Sequence, residues 1–369
     1  MKKLKAGIIG AGTISGIYIK NLQDSFSGSV DLCAIANASP EKAREAALRH
    51  GLDFAESPDA LLARDDIAIV LNLTPPAAHY AVAKAAIEVG KHIYNEKPLC
   101  ANLVEGEALL ELAQKNNLRI SCAPDTFLGA GIQTARKLID DGWIGRPVGG
   151  VAFLMNHGPE HWHPAPEFYY APGGGPLFDM GPYYLTALAV LLGPVASVTG
   201  STATAFDTRD ITSKEKCCQK ITVTTPTHIS ALLDFSCGVA LTMTMSFDVW
   251  SHSLPHIEIY GSEGSLQIGD PNFFISPVLM KRRGATTWQE IPLIGPSSSR
   301  LADLLDNENW RGIGVADMAE AIYADRQHCA SGALALHVLE VMTRISESAK
   351  TGKRLAISHS CERPEKLIL

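Results

Sequence analysis

The sequence predicts an α/β fold of two domains: a doubly wound parallel sheet, then an α+β domain whose open sheet is largely antiparallel. Strand-like and helix-like segments alternate through the first 125 residues. After Trp143 longer β-branched runs dominate and helical patterns become sparse. The length of 369 residues also exceeds what one hydrophobic core usually organises. We therefore predict domains at residues 1–125 and 126–369.

Short apolar runs in the first domain predict strands, and amphipathic stretches between them predict helices. Parallel strands need crossover connections, so this alternation indicates βαβ units. The predicted strands are Lys5–Ile9, Val30–Ala36, Ala68–Leu73, His92–Tyr94 and Arg119–Cys122, and the predicted helices are Pro40–His50, Ala77–Glu88 and Leu103–Lys115.

The second domain has the pattern of an antiparallel sheet with helices on one face. A helix is predicted near Leu177–Leu192, with others after Gly314. The predicted strands are Gly149–Met155, Val195–Ala205, Lys220–Val223, Ile229–Phe235, Val239–Phe247 and Ile257–Tyr260.

Composition narrows the functional classes. A formal net charge of −7 argues against nucleic-acid binding, which needs clustered Lys and Arg. The apolar runs fall short of the roughly 20 residues that span a bilayer, so we expect no membrane partner. The eight cysteines lack zinc-like or disulfide-framework spacing, which predicts free thiols and a cytoplasmic location.

The residues after the first strand predict a dinucleotide-binding turn. Gly10 permits a tight turn, Gly12 lets the backbone approach a pyrophosphate, and the following helix supplies amide donors. Ser15 stands where a third glycine is usual. We expect cofactor contacts from Gly10, Gly12, Thr13 and Ile14 of a Rossmann domain.

Asn37 occupies the position where an Asp or Glu usually holds the adenosine ribose. An amide can bond a hydroxyl without repelling a 2′-phosphate, and Ser39, Lys42 and Arg44 are placed to favour NADP. Alternatively, Asn37 caps the helix that begins near Pro40. The predicted cofactor is NAD(P), with NAD favoured.

Three further segments complete a recognisable set: Thr74–His79, Gly90–Leu99 and Gly173–Gly181. With the glycine turn, they resemble the glucose–fructose oxidoreductase / inositol dehydrogenase (Gfo/Idh/MocA) family. The resemblance spans nearly the whole chain. It implies an NAD(P)-dependent oxidoreductase of sugars, inositols or related polyols, and a homodimer or homotetramer formed through the C-terminal sheet.

The resemblance also implies site residues. It implies that Lys97 touches the reacting hydroxyl, and that the Lys97–Pro98 peptide bond is cis. A residue before proline is driven into extended geometry, here at the sheet edge where such folds bind ligands. His79 is equally compatible with a surface or core histidine. The cofactor contacts implied are Thr74, Pro75, His79, Glu96 and Lys97.

Asp179 and Tyr183 are four residues apart on a predicted helix and therefore share one face. Many members of the family carry His where this chain has Tyr183. A tyrosine base needs a neighbouring cation to favour its phenolate, and Lys97 is the candidate. We predict Lys97, Asp179 and Tyr183 as the catalytic residues, the alternative for Tyr183 being a packing role.

A dense polar loop contains His157, Glu160, His161, Trp162 and His163. We predict that its imidazoles bond substrate hydroxyls and that Trp162 stacks on a sugar face. A solvated loop is the alternative. Histidine clusters also bind metals, but this spacing in a Gly/Pro loop does not favour a site, and we predict no metal.

Three other residues are predicted to reach the substrate. Arg311 is suited to an anionic group, although it could equally pair with an acidic neighbour. Asp125 and Thr126 follow the last predicted strand of the first domain and are expected to point into the cleft.

The leading hypothesis is a dehydrogenase, in which a base removes a hydroxyl proton while hydride leaves the same carbon for the nicotinamide. The first alternative is a redox-assisted glycosidase that uses bound NAD transiently for oxidation, elimination, hydration and reduction. The second alternative is a non-catalytic dinucleotide sensor on the same fold.

Overall fold

The computed structural model describes residues 3–294 and 308–365. Its first sheet contains six parallel strands in the order β3-β2-β1-β4-β5-β6. The strand order reverses between β1 and β4, which is where doubly wound sheets bind ligands. The strands are β1 Leu4–Ile9, β2 Val30–Ala36, β3 Asp53–Phe54, β4 Ile69–Asn72, β5 His92–Asn95 and β6 Ile120–Cys122.

Helices connect these strands as crossovers. Between β5 and β6, for example, the Asn102 side chain accepts a hydrogen bond from the Glu105 amide and caps the following helix. The helices of this part are α1 Ser15–Gln23, α2 Pro40–His50, α3 Pro58–Leu62, α4 His79–Glu88 and α5 Leu103–Lys115.

The second sheet has nine strands in the order β16-β15-β14-β13-β7-β12-β11-β8-β17. Its pairings are antiparallel except for β7 with β12. A separate hairpin sheet consists of β9 and β10. The strands are β7 Pro147–Met155, β8 Val195–Ala203, β9 Thr208–Asp210, β10 Lys220–Thr222, β11 His228–Phe235, β12 Ala240–Ser246, β13 Ile257–Gly261, β14 Gly264–Ile268, β15 Val278–Arg282, β16 Gln289–Glu290 and β17 Leu355–Ala356.

Helices cover one face of this second sheet and join the two parts of the molecule. The long helix α7 packs on the central strands β7, β12 and β11, while α9 packs on β8 and β17 at one edge and also contacts α5. Helix α8 returns to the first sheet and contacts β2 and β6. The helices are α6 Ala130–Asp140, α7 Gly175–Leu192, α8 Ile313–Ala324 and α9 Gly332–Thr351.

The predicted fold class is confirmed, although its elements differ from the prediction in several places. The predicted strand Lys220–Val223 lies in the small hairpin sheet, outside the main sheet. Helix α6 was not predicted, although it buries an apolar face that includes Ile132 and Leu138. The division at residue 125 remains a prediction. Among the described helices, none is both long and apolar enough to cross a bilayer.

Candidate active site

The turn between β1 and α1 leaves an open approach to the backbone. Gly10 has a φ of +116°, and a Cβ there would lie 2.6 Å from the carbonyl group of Leu73. A Cβ on Gly12 would meet nothing within 4 Å. The Ser15 hydroxyl donates to the Gly12 carbonyl over 2.7 Å, which holds the turn against the helix. Thr13 is exposed beside it.

Asn37 ties this turn to the end of β2. Its Oδ1 accepts a hydrogen bond from the Ala11 amide at 3.1 Å, and its Nδ2 donates to the Ser39 carbonyl. The alternative that Asn37 caps α2 is wrong, because Ser39 holds the cap position. Lys42 lines a cleft of about 420 Å³ together with Gly12.

His79 is buried beneath the ends of β4 and β5. Its Nδ1 lies 2.7 Å from the Pro98 carbonyl oxygen, and its Nε2 lies 2.9 Å from that of Thr74. Burial lowers the pKa of His79 despite these two hydrogen bonds. The ring therefore connects the two loops at the sheet edge. The Lys97–Pro98 peptide bond is cis, as expected.

Glu96 is bonded within the protein at both carboxylate oxygens. Oε1 accepts from the Tyr18 hydroxyl at 2.8 Å, and Oε2 accepts from the Lys97 amide at 2.9 Å. The Tyr18 hydroxyl in turn lies 3.4 Å from that of Tyr94. This network fixes the backbone from which Lys97 extends. Thr74 and Pro75 lie nearby, at the carboxyl end of β4.

Lys97 crosses from the first sheet to helix α7. Its Nζ donates to Asp179 Oδ1 at 2.8 Å and also to the Asp179 carbonyl, and it lies 5.2 Å from the centre of the Tyr183 ring. Burial alone would lower the pKa of Lys97, but Asp179, Tyr183 and Glu96 raise it overall. The ammonium is therefore charged, and the structure brings the three predicted catalytic residues together.

Tyr183 is 9% exposed and lies beside Lys97, and the charge of Arg311 also acts on it. Burial raises its pKa, while Lys97 and a hydrogen-bonded Arg311 oppose that rise. Arg311 also donates to Asn272 Oδ1 at 3.1 Å. The sequence did not predict this neighbour for Tyr183, because 128 positions separate the two residues, from 183 to 311. No local pattern brings them together.

Asp125 and Thr126 are buried rather than open to the cleft. Asp125 Oδ2 accepts hydrogen bonds from the amides of Gly312 and Gly314, at 2.9 and 3.1 Å, at the start of α8. This anchor positions the segment that carries Arg311. The expectation that Asp125 and Thr126 point into the cleft is therefore wrong: Asp125 is bonded within the fold, and Thr126 is buried.

The polar loop of residues 157–163 does not lie beside Lys97 as one group. His157 and His161 line a pocket of about 880 Å³ with Trp250 and other residues, and none of the described lining residues is Lys97, Asp179 or Tyr183. Trp162 is exposed and does not line that pocket. His157 and His161 therefore lie in a pocket that does not include Lys97, and the binding of substrate by this loop stays a prediction. Across residues 3–294 and 308–365, no three His, Cys, Asp or Glu side chains are grouped to hold a metal.

Comparison with known proteins places this arrangement in a family. Residues 4–123 match the profile described as oxidoreductase family, NAD-binding Rossmann fold. Residues 132–267 match that of the GFO/IDH/MocA C-terminal domain. The chain belongs to the Gfo/Idh/MocA family of oxidoreductases. Its N-terminal domain is thus an NAD-binding Rossmann domain.

Relatives within the Gfo/Idh/MocA family include sugar and inositol enzymes. The dTDP-3,4-didehydro-2,6-dideoxy-alpha-D-glucose 3-reductase of Streptomyces violaceoruber is 32% identical over 206 residues, 54% of this chain and 58% of the reductase. Inositol 2-dehydrogenase of Salmonella typhimurium is 29% identical over 158 residues, 42% of this chain and 45% of that enzyme. The matched stretches thus span about half of these relatives.

Solved structures of oxidoreductases share the fold over almost the whole chain. Levoglucosan dehydrogenase in complex with NADH and L-sorbose has a TM-score of 0.82 at 20% identity, covering 97% of this chain and 99% of that one. An NAD-binding oxidoreductase from Klebsiella pneumoniae has a TM-score of 0.81 at 21% identity, covering 96% and 99%.

The residues at the glycine turn fit a bound NAD dinucleotide. Gly12 leaves free space where a side chain would block a pyrophosphate, and the start of α1 directs backbone amides towards it. Asn37, Thr74 and Pro75 lie at the same carboxyl edge of the sheet. Gly10, Gly12, Thr13 and Ile14 are the residues that would hold the phosphates.

Proposed function

We propose that this chain is an NAD(P)-dependent dehydrogenase acting on a secondary hydroxyl of a sugar, inositol or sugar derivative. One observation carries the proposal: the Lys97–Asp179 ion pair lies beside the buried Tyr183. Lys97 also extends from the sheet edge that carries the glycine turn. Relatives named as a sugar reductase and an inositol dehydrogenase support the substrate class.

The chain's own residues supply the proton chemistry. Tyr183 Oη takes the hydroxyl proton of the substrate, acting as the general base. Lys97 and Arg311 favour the phenolate, because each places a positive charge beside it. A bound nicotinamide would supply the acceptor for the hydride that leaves the carbon carrying that hydroxyl.

Asp179 keeps the lysine in place. The side chains of Lys97 and Asp179 are 16% and 23% exposed, so their interaction is only weakly screened by water. The lysine Nζ is held through both the carboxylate and the backbone carbonyl of Asp179. This two-point contact orients the ammonium towards Tyr183 and the reacting hydroxyl.

For the cofactor, we propose NAD ahead of NADP. The acceptor oxygen of Asn37 is already bonded to the Ala11 amide, which leaves its Nδ2 for a ribose hydroxyl or the Ser39 carbonyl. Arg44, a candidate partner for a 2′-phosphate, lies 4.5 Å over the ring of Phe54. These contacts favour a ribose without a 2′-phosphate.

We also propose a homo-oligomer formed through the C-terminal sheet. The face of this sheet that is turned away from α7 and α9 carries exposed apolar side chains such as Leu232, 42% exposed. Sedimentation of the purified protein tests this proposal. A monomer at all concentrations would contradict it.

A panel of sugars, inositols and aryl glycosides tests the catalytic proposal. The protein is incubated with NAD or NADP, and both reduced cofactor and released aglycone are measured. Net reduced cofactor with a free sugar supports the dehydrogenase. Aglycone without net reduced cofactor indicates the redox-assisted glycosidase instead, and no product of either kind indicates a dinucleotide sensor.

A further inference from the structure

The ends of two paired strands form a second pocket away from Lys97. Strands β7 and β12 run parallel, with Met155 opposite Ser246, so the residues that follow both strands meet at one edge. The His157 ring stacks on Trp250 there, with centroids 3.3 Å apart and planes 16° apart. Phe206 meets the other side of His157 edge-on at 6.2 Å. Together they line the cavity of about 880 Å³.

A buried ion network fixes the floor of this pocket. Arg209 donates to Glu160 Oε1 at 2.6 and 2.9 Å and to Asp248 Oδ1 at 3.1 Å, and it also bonds the carbonyl of His157. Arg209 and Glu160 are 4% and 5% exposed. The network holds the aromatic residues in position, because Arg209 also lies 5.2 Å over the Phe206 ring.

The residues that line this pocket indicate which class of ligand it can bind. The guanidinium of Arg209 is already paired with two carboxylates, and Asp210 adds a further negative charge. A phosphate or carboxylate ligand is therefore disfavoured. The exposed rim carries hydroxyl and imidazole groups that both donate and accept hydrogen bonds, from Thr208, Thr212, Ser251, His161 and His252.

The aromatic surface completes this selection. Trp250 is 80% exposed and Phe206 is 44% exposed, so the two rings present apolar faces to the solvent-filled pocket. An apolar face bordered by groups of mixed donor and acceptor character matches a molecule with C–H faces and a rim of hydroxyls. A simple organic cation would use the rings and leave the hydrogen-bonding rim unused.

We propose that the pocket of Trp250, Phe206 and His157 is a second binding site for a neutral carbohydrate, separate from the Lys97 centre. The sugar ring lies on Trp250, and its hydroxyls bond the rim residues. The proposal does not depend on the chemistry at Lys97.

The test measures binding of D-glucose, myo-inositol, maltose and cellobiose to the full chain by saturation-transfer NMR and calorimetric titration. Trp250→Ala and Phe206→Ala should weaken binding at this site at least about tenfold. Trp143→Ala is the matched control, since this exposed indole contacts Arg282 outside the pocket. It should bind like the native chain.

Lys97→Met separates this proposal from the proposed catalysis. It should lower turnover on the order of 10²–10⁴-fold while leaving carbohydrate binding at the pocket intact, and Trp250→Ala should leave turnover intact. The proposal is overturned if none of the four sugars saturates the protein, if Lys97→Met removes the binding, or if choline binds in their place. A change of sedimenting mass in Trp250→Ala without loss of sugar binding would assign the surface to contact between copies, and would also overturn it.

Discussion

At the scale of single residues, the environment of Tyr183 decides what the site can do. Burial disfavours its phenolate, whereas Lys97 and Arg311 favour it. Burial is the larger effect and raises the pKa of Tyr183 overall, so the two cations limit that rise, and action as a base is our proposal for this residue. Lys97 and Tyr183 come from different domains, so this environment exists only in the folded chain.

Tyr183→Phe should lower turnover on the order of 10²–10⁴-fold, the usual contribution of a positioned acid–base group. The ring stays in place, so the free energy of unfolding should fall by only roughly 1.5–3 kcal/mol, for one lost hydrogen bond to a charged group. Steady-state kinetics and urea unfolding measure the two effects. Near-normal turnover in this variant would remove Tyr183 from the mechanism.

Arg311→Met should move the pH dependence of turnover. Removing this cation raises the pKa of Tyr183, because Arg311 opposes the effect of burial. Less phenolate is then present at a given pH, and the rise of activity with pH shifts to higher pH. Arg311→Lys should restore part of the shift. An unchanged pH profile in Arg311→Met would show that this residue does not act on Tyr183.

At the scale of elements, the two glycines of the turn are expected to have different roles, Gly10 in stability and Gly12 in cofactor binding. Gly10→Ala should cost about 3 kcal/mol or more, because its φ of +116° is strained for alanine and the Cβ would clash with Leu73. Gly12→Ala has free space and should change stability by less than about 0.5 kcal/mol. It should nevertheless weaken NAD binding, since the methyl group occupies the pyrophosphate approach. Equal losses of stability in Gly10→Ala and Gly12→Ala would contradict this distinction.

The end of β2 should control the choice of cofactor. Asn37→Asp keeps an acceptor for the Ala11 amide and adds a negative charge near the expected 2′ position. NADP affinity should fall at least about tenfold relative to NAD, because like charges repel. Fluorescence titration with both cofactors measures the ratio. A ratio equal to that of the native chain would place the adenosine ribose away from Asn37.

Local sequence patterns predicted the helices and strands better than they predicted the long-range contacts between them. Strand β2 and helices α2 and α5 have the predicted bounds, since each has a clear apolar period and recognisable ends. Lys97, Asp179 and Tyr183 were found through family motifs. The proximity of Arg311 to Tyr183 and the stacking of His157 on Trp250 depend on long-range packing. Nothing in their local sequence indicates either contact.

At the scale of the whole molecule, two domains complete one site. The first sheet supplies the glycine turn and Lys97, while α7 of the second domain supplies Asp179 and Tyr183. Segment 308–314 returns to the first domain and is anchored there by Asp125, which brings Arg311 to the same place. The proposed catalytic residues therefore meet only where the two domains contact each other.

Transfer of deuterium from a labelled substrate to the nicotinamide is the most direct test of the proposed dehydrogenase activity. The protein is incubated with NAD and a panel of sugars and inositols that carry deuterium at every carbon, and the reduced cofactor is examined by mass spectrometry. One deuterium should appear in the reduced nicotinamide, and Lys97→Met should lower its rate on the order of 10²–10⁴-fold while NAD still binds. A protein that binds NAD but transfers deuterium from none of these compounds would contradict the account.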